Sequence, residues 1–268
     1  MLELALCVSG GSILGFLIGL TGVGGGVLTV PVLILALRLP PIAAVGTASL
    51  FTVFTKIYAG IKHYRQDTIN VKAGLWFLLS ALPGVVLSSF LVKWGKASLS
   101  PEGVTTLENA LEYVIMASIA LAMLTLLFDY TRVNTQFLYT PGGKLIKFLC
   151  LFTIGAIMGM TSIGGGILII PALLLFYRET RRYVGTSIFI GLFSLAVMSA
   201  IYAFAGQEGG HGGDVNVRIA ALMAVGSLVG THQGSALSKK IEPRGLQFVV
   251  IGVIVLAVLM MILHKALK

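Results

Sequence analysis

The sequence predicts an all-α, polytopic integral membrane protein built from two inverted repeats, each a glycine-broken helix hairpin plus three transmembrane helices. Three observations predict it. The 268 residues are 57% hydrophobic and only 11% charged, whereas a soluble domain carries about 25% charged residues. Apolar runs of about 18 residues or more recur along the chain, long enough to cross a hydrocarbon core. The stretch Gly15–Ile34 returns as Gly155–Leu174 at an offset of 140. Nine of its twenty positions are identical: Gly15, Gly19, Thr21, Gly24, Gly25, Gly26, Leu28, Pro31 and Leu33. The alternating segments of a membrane β-barrel, each of about ten residues, are not seen.

The first repeat occupies residues 1–130, a linker 131–143, and the second repeat 144–268. Leu2–Thr21 reads as a helix, Gly22–Gly26 as a break, and Val27–Leu37 as a short helix ended by Arg38 and Pro40-Pro41. At ~1.5 Å per residue the short helix reaches about half of a ~30 Å core. Pro31 is expected in its first turn, where a missing N–H costs little. Ile42–Ile61, Val71–Val92 and Leu107–Phe128 follow as spans. The second repeat reads Lys144–Thr161 as a helix, Ser162–Gly166 as a break and Ile167–Tyr177 as a short helix. Tyr183–Ala205, Asn216–Ser238 and Leu246–Leu263 complete it as spans. Val45-Gly46-Thr47 and Val184-Gly185-Thr186 open matching spans. Asn70-Val-Lys72 is echoed by Asn216-Val-Arg218.

The net charge of +9 does not point to nucleic acid, because cytoplasmic loops of membrane proteins collect Lys and Arg. Cys7 and Cys150 both lie in apolar runs, so neither a structural disulfide nor a cysteine metal site is expected. The first apolar run carries Glu3, has no basic start and has an internal copy, so it reads as a mature segment and not a signal peptide.

Loop charge orients the repeats. If each long-plus-short helix pair is a hairpin, one side gathers twelve basic residues: Lys62, Arg65, Lys72, Arg132, Lys144, Lys147, Arg178, Arg181, Arg182, Lys239, Lys240 and Arg244. The other side holds six: Arg38, Lys93, Lys96, Arg218, Lys265 and Lys268. If each pair is one broken helix that crosses once, the split is nine and nine. The positive-inside rule favours the biased arrangement. The expectation is therefore inverted halves with both termini on the periplasmic side.

The paired breaks are where chemistry is expected. In hydrocarbon, non-helical backbone survives only when shielded by protein or lining a wet cavity. Interrupted segments at matching positions of two halves point to a transporter's binding site. Gly24-Gly25-Gly26 and Gly164-Gly165-Gly166 let the backbone approach a ligand with no side chain in the way. A helix starts at once after each, offering unpaired N–H groups and a partial positive charge to an anionic oxygen. The alternative use of the glycines is close helix packing.

With the duplicated Gly-Gly-Gly-x₄-Pro breaks and the two Val-Gly-Thr starts, the sequence resembles the TauE/SafE family of sulfite exporters over essentially its full length. The resemblance implies transport of a small sulfur-containing anion, of the sulfite, sulfonate or sulfoacetate type, across the bacterial inner membrane. It leaves substrate and direction open. Only the paired breaks and the Val-Gly-Thr positions are carried over from it.

Thr21, Thr161 and Ser162 flank the glycines with hydroxyls that can donate to such an anion. Thr47 and Thr186 either complete the pocket or bond to their own preceding turns. Lys56 lies mid-span, and an intramembrane ionisable group is a functional candidate. Its distance of under two turns from Lys62 favours snorkelling to the interface over holding substrate. His232, with Thr231 and Gln233, puts a polar cluster where the first half reads Gly84-Val85-Val86. The cluster binds substrate, couples transport to protons, or is a packing contact. Acidic residues such as Glu112 and Asp129 fall near span ends, which gives a carboxylate proton relay little support. No Gly-x₄-Gly-Lys-Ser/Thr phosphate loop, metal motif or nucleophile elbow occurs, so neither an ATPase nor an enzyme is expected, and no cofactor or metal. The function read from the sequence is secondary transport by alternating access, with a passive anion channel through the same site as the rival. Membrane lipid is the other partner. The oligomeric state is left open, a homodimer being one arrangement.

Overall fold

The computed structural model describes residues 2–21, 25–127, 141–163, 166–177, 182–204 and 214–238, together with parts of 251–265. Nine helices are bounded among them: α1 (Leu2–Thr21), α2 (Gly26–Leu35), α3 (Pro41–Arg65), α4 (Val71–Ser98), α5 (Pro101–Leu127), α6 (Pro141–Thr161), α7 (Ile169–Tyr177), α8 (Tyr183–Phe204) and α9 (Val217–Ser238). No strand occurs among the described residues. Five of the helices, α3, α4, α5, α6 and α8, are long and apolar enough to cross a bilayer. The last expected span, Leu246–Leu263, is described only in part, and most of the linker lies outside the described residues.

The helix bounds follow local chemistry. Asn70 caps α4 by accepting from the Ala73 N–H, and Asn216 caps α9 by accepting from the Ile219 N–H at 3.0 Å. Arg38 at φ 51° and Asp67 at φ 50° take left-handed conformations just past α2 and α3. Pro31 differs from expectation. It sits inside α2, beyond the first turn, so the Val27 carbonyl loses its usual i+4 donor. Pro171 does fall in the first turn of α7. Helix α5 starts six residues before the expected span, so Glu112 lies well inside a helix and not near an end. Its carboxylate is buried and pairs with Lys265 at 3.4 Å.

The two halves exchange partners. Helix α1 packs on α9 and α6 packs on α4. In the first seam a Cβ added at Gly226, Gly230 or Gly234 would collide with the carbonyl of Val8, Ser12 or Phe16 in turn. The contacts climb together, so α1 and α9 run parallel. In the second, Gly155 meets Ala81 and Gly159 meets Val85, so α4 and α6 are also parallel. Close approach through small residues is how helices associate without a hydrophobic drive between them. Helices α3 and α8 cross in the opposite sense: Gly46 lies against Tyr202, and Gly60 against Ile188 and Leu192. Gly25, just before α2, meets Thr52 half-way along α3. Helix α2 therefore runs back beside α3 toward the point where α3 begins.

The core is apolar and continuous across these seams. It includes Val27, Leu33, Ile42, Phe51, Phe77, Met158, Ile163, Leu173, Leu195 and Met198. Neither cysteine is in a disulfide; Cys7 is buried and Cys150 exposed.

Candidate functional site

The two breaks meet. A Cβ on Gly26 would collide with the carbonyl oxygen of Ser162 and would stand 3.2 Å from the Ile163 nitrogen. Glycine at this position thus lets one break lie directly on the other. Beside it, a Cβ on Gly25 would come within 2.8 Å of the Thr52 hydroxyl and 3.4 Å of Ile18. Ser162 itself adopts φ 57°, turning the chain out of α6 while its N–H still donates to the Met158 carbonyl at 2.8 Å.

Helix α2 begins here without a side-chain cap. Thr29 N–H donates to the Gly25 carbonyl at 2.9 Å, closing the first turn. The Leu28 N–H donates to the same carbonyl at 3.3 Å, and the N–H groups of Gly26 and Val27 precede the first intrahelical bond and point at the junction. Three hydroxyls around the junction are buried with no hydrogen-bond partner: Thr29 on α2, Thr52 on α3 and Ser162 at the end of α6. Their exposures are 0%, 1% and 0%. A buried hydroxyl without a partner costs about 1–3 kcal/mol, so these three concentrate unmet hydrogen-bonding capacity around one junction. Ser194 on α8 is a fourth such hydroxyl.

Lys56 follows Thr52 by four residues and shares its face of α3. It is buried, at 6% exposure. The expectation of a side chain lying out at the aqueous interface is thereby corrected: packing of α3 against its neighbours keeps Lys56 inside, one turn from Thr52.

Thr161 is used locally. Its hydroxyl donates to the Ile157 carbonyl at 2.7 Å and accepts from the Ile163 N–H at 3.1 Å, so its single proton is committed to shaping the break. Thr21 ends α1, and its side chain lies outside the described residues, as do Gly24, Gly164 and Gly165. Gly166 precedes α7, its carbonyl accepting from the Ile170 N–H at 2.9 Å.

Thr47 and Thr186 are not at the junction. Each is fully buried and reaches across to the other half. Thr47 Oγ1 accepts from the Asn216 N–H at 3.0 Å, and Thr186 Oγ1 accepts from the Asn70 N–H at 2.9 Å. The preceding glycines make room: a Cβ at Gly46 would stand 2.6 Å from the Asp214 carbonyl oxygen, and one at Gly185 would collide with that of Thr68. The Val-Gly-Thr motif is thus a clasp that satisfies the N-cap amide of a helix in the opposite repeat. One clasp lies at the end of the bundle where α3 and α9 begin, the other where α4 and α8 begin. They are called here the Asn216 end and the Asn70 end.

His232 and Gln233 sit on the exposed face of α9, while Gly230 and Gly234 turn the opposite face to α1. Thr29 and Thr52, which the structure brings to the junction, carried no distinguishing sequence signal beyond being hydroxyls in apolar runs.

The profile of the family described as "Sulfite exporter TauE/SafE" matches residues 7–261. The chain belongs to that family. It is 31% identical to "Probable membrane transporter protein YjnA" of Bacillus subtilis (strain 168), over 94% of this chain and 97% of the relative. It is 28% identical to "Probable membrane transporter protein MJ0441" of Methanocaldococcus jannaschii, over 98% and 97% of the two chains. "Probable membrane transporter protein YunE" of B. subtilis is 25% identical over 92% of each. No solved structure matches the chain significantly. Family and helices together make this TauE/SafE member a multi-pass membrane protein of a transporter family.

Proposed function

We propose that the protein is a secondary carrier that moves a small sulfur-containing anion, of the sulfite, sulfonate or sulfoacetate type, across the bacterial inner membrane by alternating access. The observation that carries this reading is the junction of the breaks. There an uncapped helix start and the partnerless hydroxyls of Thr29, Thr52 and Ser162 lie together in the buried interior. Donors converging on a buried point suit an oxyanion. Lys56, one turn away, adds a cation on the same face of α3.

The repeats are read as inverted. Equivalent helices α3 and α8 run in opposite directions, and the hairpin turn from α1 into α2 is what the biased loop charges require. The Asn70 end, with Lys62, Arg65, Lys144 and Arg182, is then cytoplasmic, and the Asn216 end periplasmic. Burial of the three hydroxyls to 1% or less supports a carrier over a channel, because solute reaches an occluded site only when the halves move.

The test uses Thr52→Val. Removing a buried hydroxyl that has no partner should leave the melting temperature of the unliganded protein unchanged or slightly raised. Loss of a hydrogen bond to a charged ligand, about 1.5–3 kcal/mol, should weaken binding of sulfite or sulfoacetate about tenfold or more. Counter-transport in proteoliposomes should persist, weakened. Full affinity in Thr52→Val and Ser162→Ala would remove the junction from the substrate path, and flux without saturation or counter-transport would favour the channel.

A further inference from the structure

A cavity of about 310 Å³ opens at the Asn70 end, away from the junction of the breaks. It is lined by Trp76 and Ser80 of α4, Lys144, Lys147 and Phe148 of α6, and Tyr177 at the end of α7. Two cations face it, and among the described residues no carboxylate lines it. Lys147 is held in place: its Nζ donates to the Phe176 carbonyl at 3.3 Å and stands 3.6 Å above the Tyr177 ring. Lys144, one turn earlier on the same face, is exposed and free to reach a ligand. Trp76 is 59% exposed at the rim.

The surroundings say at what depth the cavity lies. Leu145, Ile146, Phe148 and Leu149 of α6 and Leu79 of α4 are all exposed apolar side chains on the adjoining surface. Such a surface belongs against acyl chains. Lysines and an aromatic pair at its edge belong at the headgroup level. The geometry points to a binding site for the phosphate of an anionic phospholipid, with Lys144 and Lys147 on the phosphate oxygens and Trp76 and Phe148 against the glycerol and upper acyl chain. Basic pockets between membrane helices recognise anionic headgroups through this combination of charge and apolar wall. A free phosphate or sulfite ion shares the charge but has nothing to lay on Trp76 and Phe148, so the lipid is the occupant assigned. Because Lys147 also caps the last turn of α7, the lipid would brace that helix against α4 and α6.

The chain has two tryptophans, Trp76 and Trp94, so a Trp94→Phe variant reports on the cavity alone. The full-length protein is reconstituted in phosphatidylcholine vesicles with a small fraction of brominated phosphatidylglycerol or brominated phosphatidylcholine, and quenching of Trp76 is read. Brominated phosphatidylglycerol should quench at a several-fold lower mole fraction. That preference should fall about fivefold in Lys144→Ala, the equivalent of about 1 kcal/mol per lysine, and return in Lys144→Arg. Lys144 is exposed, so this variant keeps the fold. Equal quenching by the two lipids, or a preference untouched by Lys144→Ala, overturns the site. Reversal of the quenching by millimolar inorganic phosphate or sulfite overturns the lipid assignment in favour of a free oxyanion.

Discussion

At the Asn216 end, Thr47 accepts from the Asn216 amide; at the Asn70 end, Thr186 accepts from the Asn70 amide, at distances of 3.0 and 2.9 Å. The neutral clasp is the same at both. The ion pairs beside it are not. At the Asn216 end, Asp214 is 9% exposed and pairs with Lys93, itself 8% exposed, at 2.5 Å, and also with Lys96. At the Asn70 end, Asp67 is 86% exposed and pairs with Arg182 at 3.0 Å. Duplication supplied the clasp twice. The charge beside it differs, buried at one end and solvated at the other. On the carrier reading proposed above, in which each end opens in turn, this difference makes the Asn70 end the easier one to open.

The sharpest way to break the comparison is to remove the buried carboxylate. Asp214→Asn leaves Lys93 enclosed without its counter-ion, a loss of about 3–5 kcal/mol for a buried pair broken on one side. The melting temperature in detergent should drop by roughly 10 °C. A drop of only a degree or two would mean that water already reaches Lys93 and that the two ends differ little.

The clasps themselves should prove equal. Thr47→Val and Thr186→Val each remove the acceptor of an asparagine amide from a part-buried bond, at a cost of about 0.5–1.5 kcal/mol. Hydrogen exchange should speed up at the Asn216 amide in the first variant and at the Asn70 amide in the second, by similar factors. If one variant costs over about 1 kcal/mol more than the other, the repeat symmetry is geometric only and not energetic.

Much of the fold was legible because it rests on short-range signals. The Leu2–Thr21 helix, the glycine break and the half-length helix after it are written in local composition, and the start of α4 at Val71 is set by Asn70. The use of the Val-Gly-Thr motif was not legible. Its partners lie 169 and 116 residues away in the chain, and neither reading, a place in the pocket or a bond to its own preceding turn, pairs the hydroxyl with a helix cap of the other half. Lys56 was misjudged because sequence distance to Lys62 says nothing about what covers α3. Thr29 and Thr52 gave no warning for a similar reason. A hydroxyl in an apolar helix usually bonds back to its own turn, as Thr55 does to Thr52, and only packing reveals the ones left without a partner. The polar cluster at His232 shows the converse: conspicuous in sequence, it lies on an exposed helix face because the glycines on either side of it claim the seam with α1.

The smallest effect is expected where the comparison is most delicate. Asp67 and Arg182 are both solvated, and a surface pair of this kind contributes about 0–1 kcal/mol, screened further by salt. Asp67→Asn should therefore lower the melting temperature by no more than a degree or two. Raising wild-type protein to about half-molar sodium chloride, where the Debye length is only a few ångströms, should have a similar effect and leave the variant unmoved. Asp214 should behave differently, its buried pair with Lys93 holding at the same salt. If salt instead weakened the Asn216 end as much as the Asn70 end, burial would not be what separates them. The ease of opening would then have to be sought in the helix seams, where α1 lies on α9 at one position and α6 on α4 at the other.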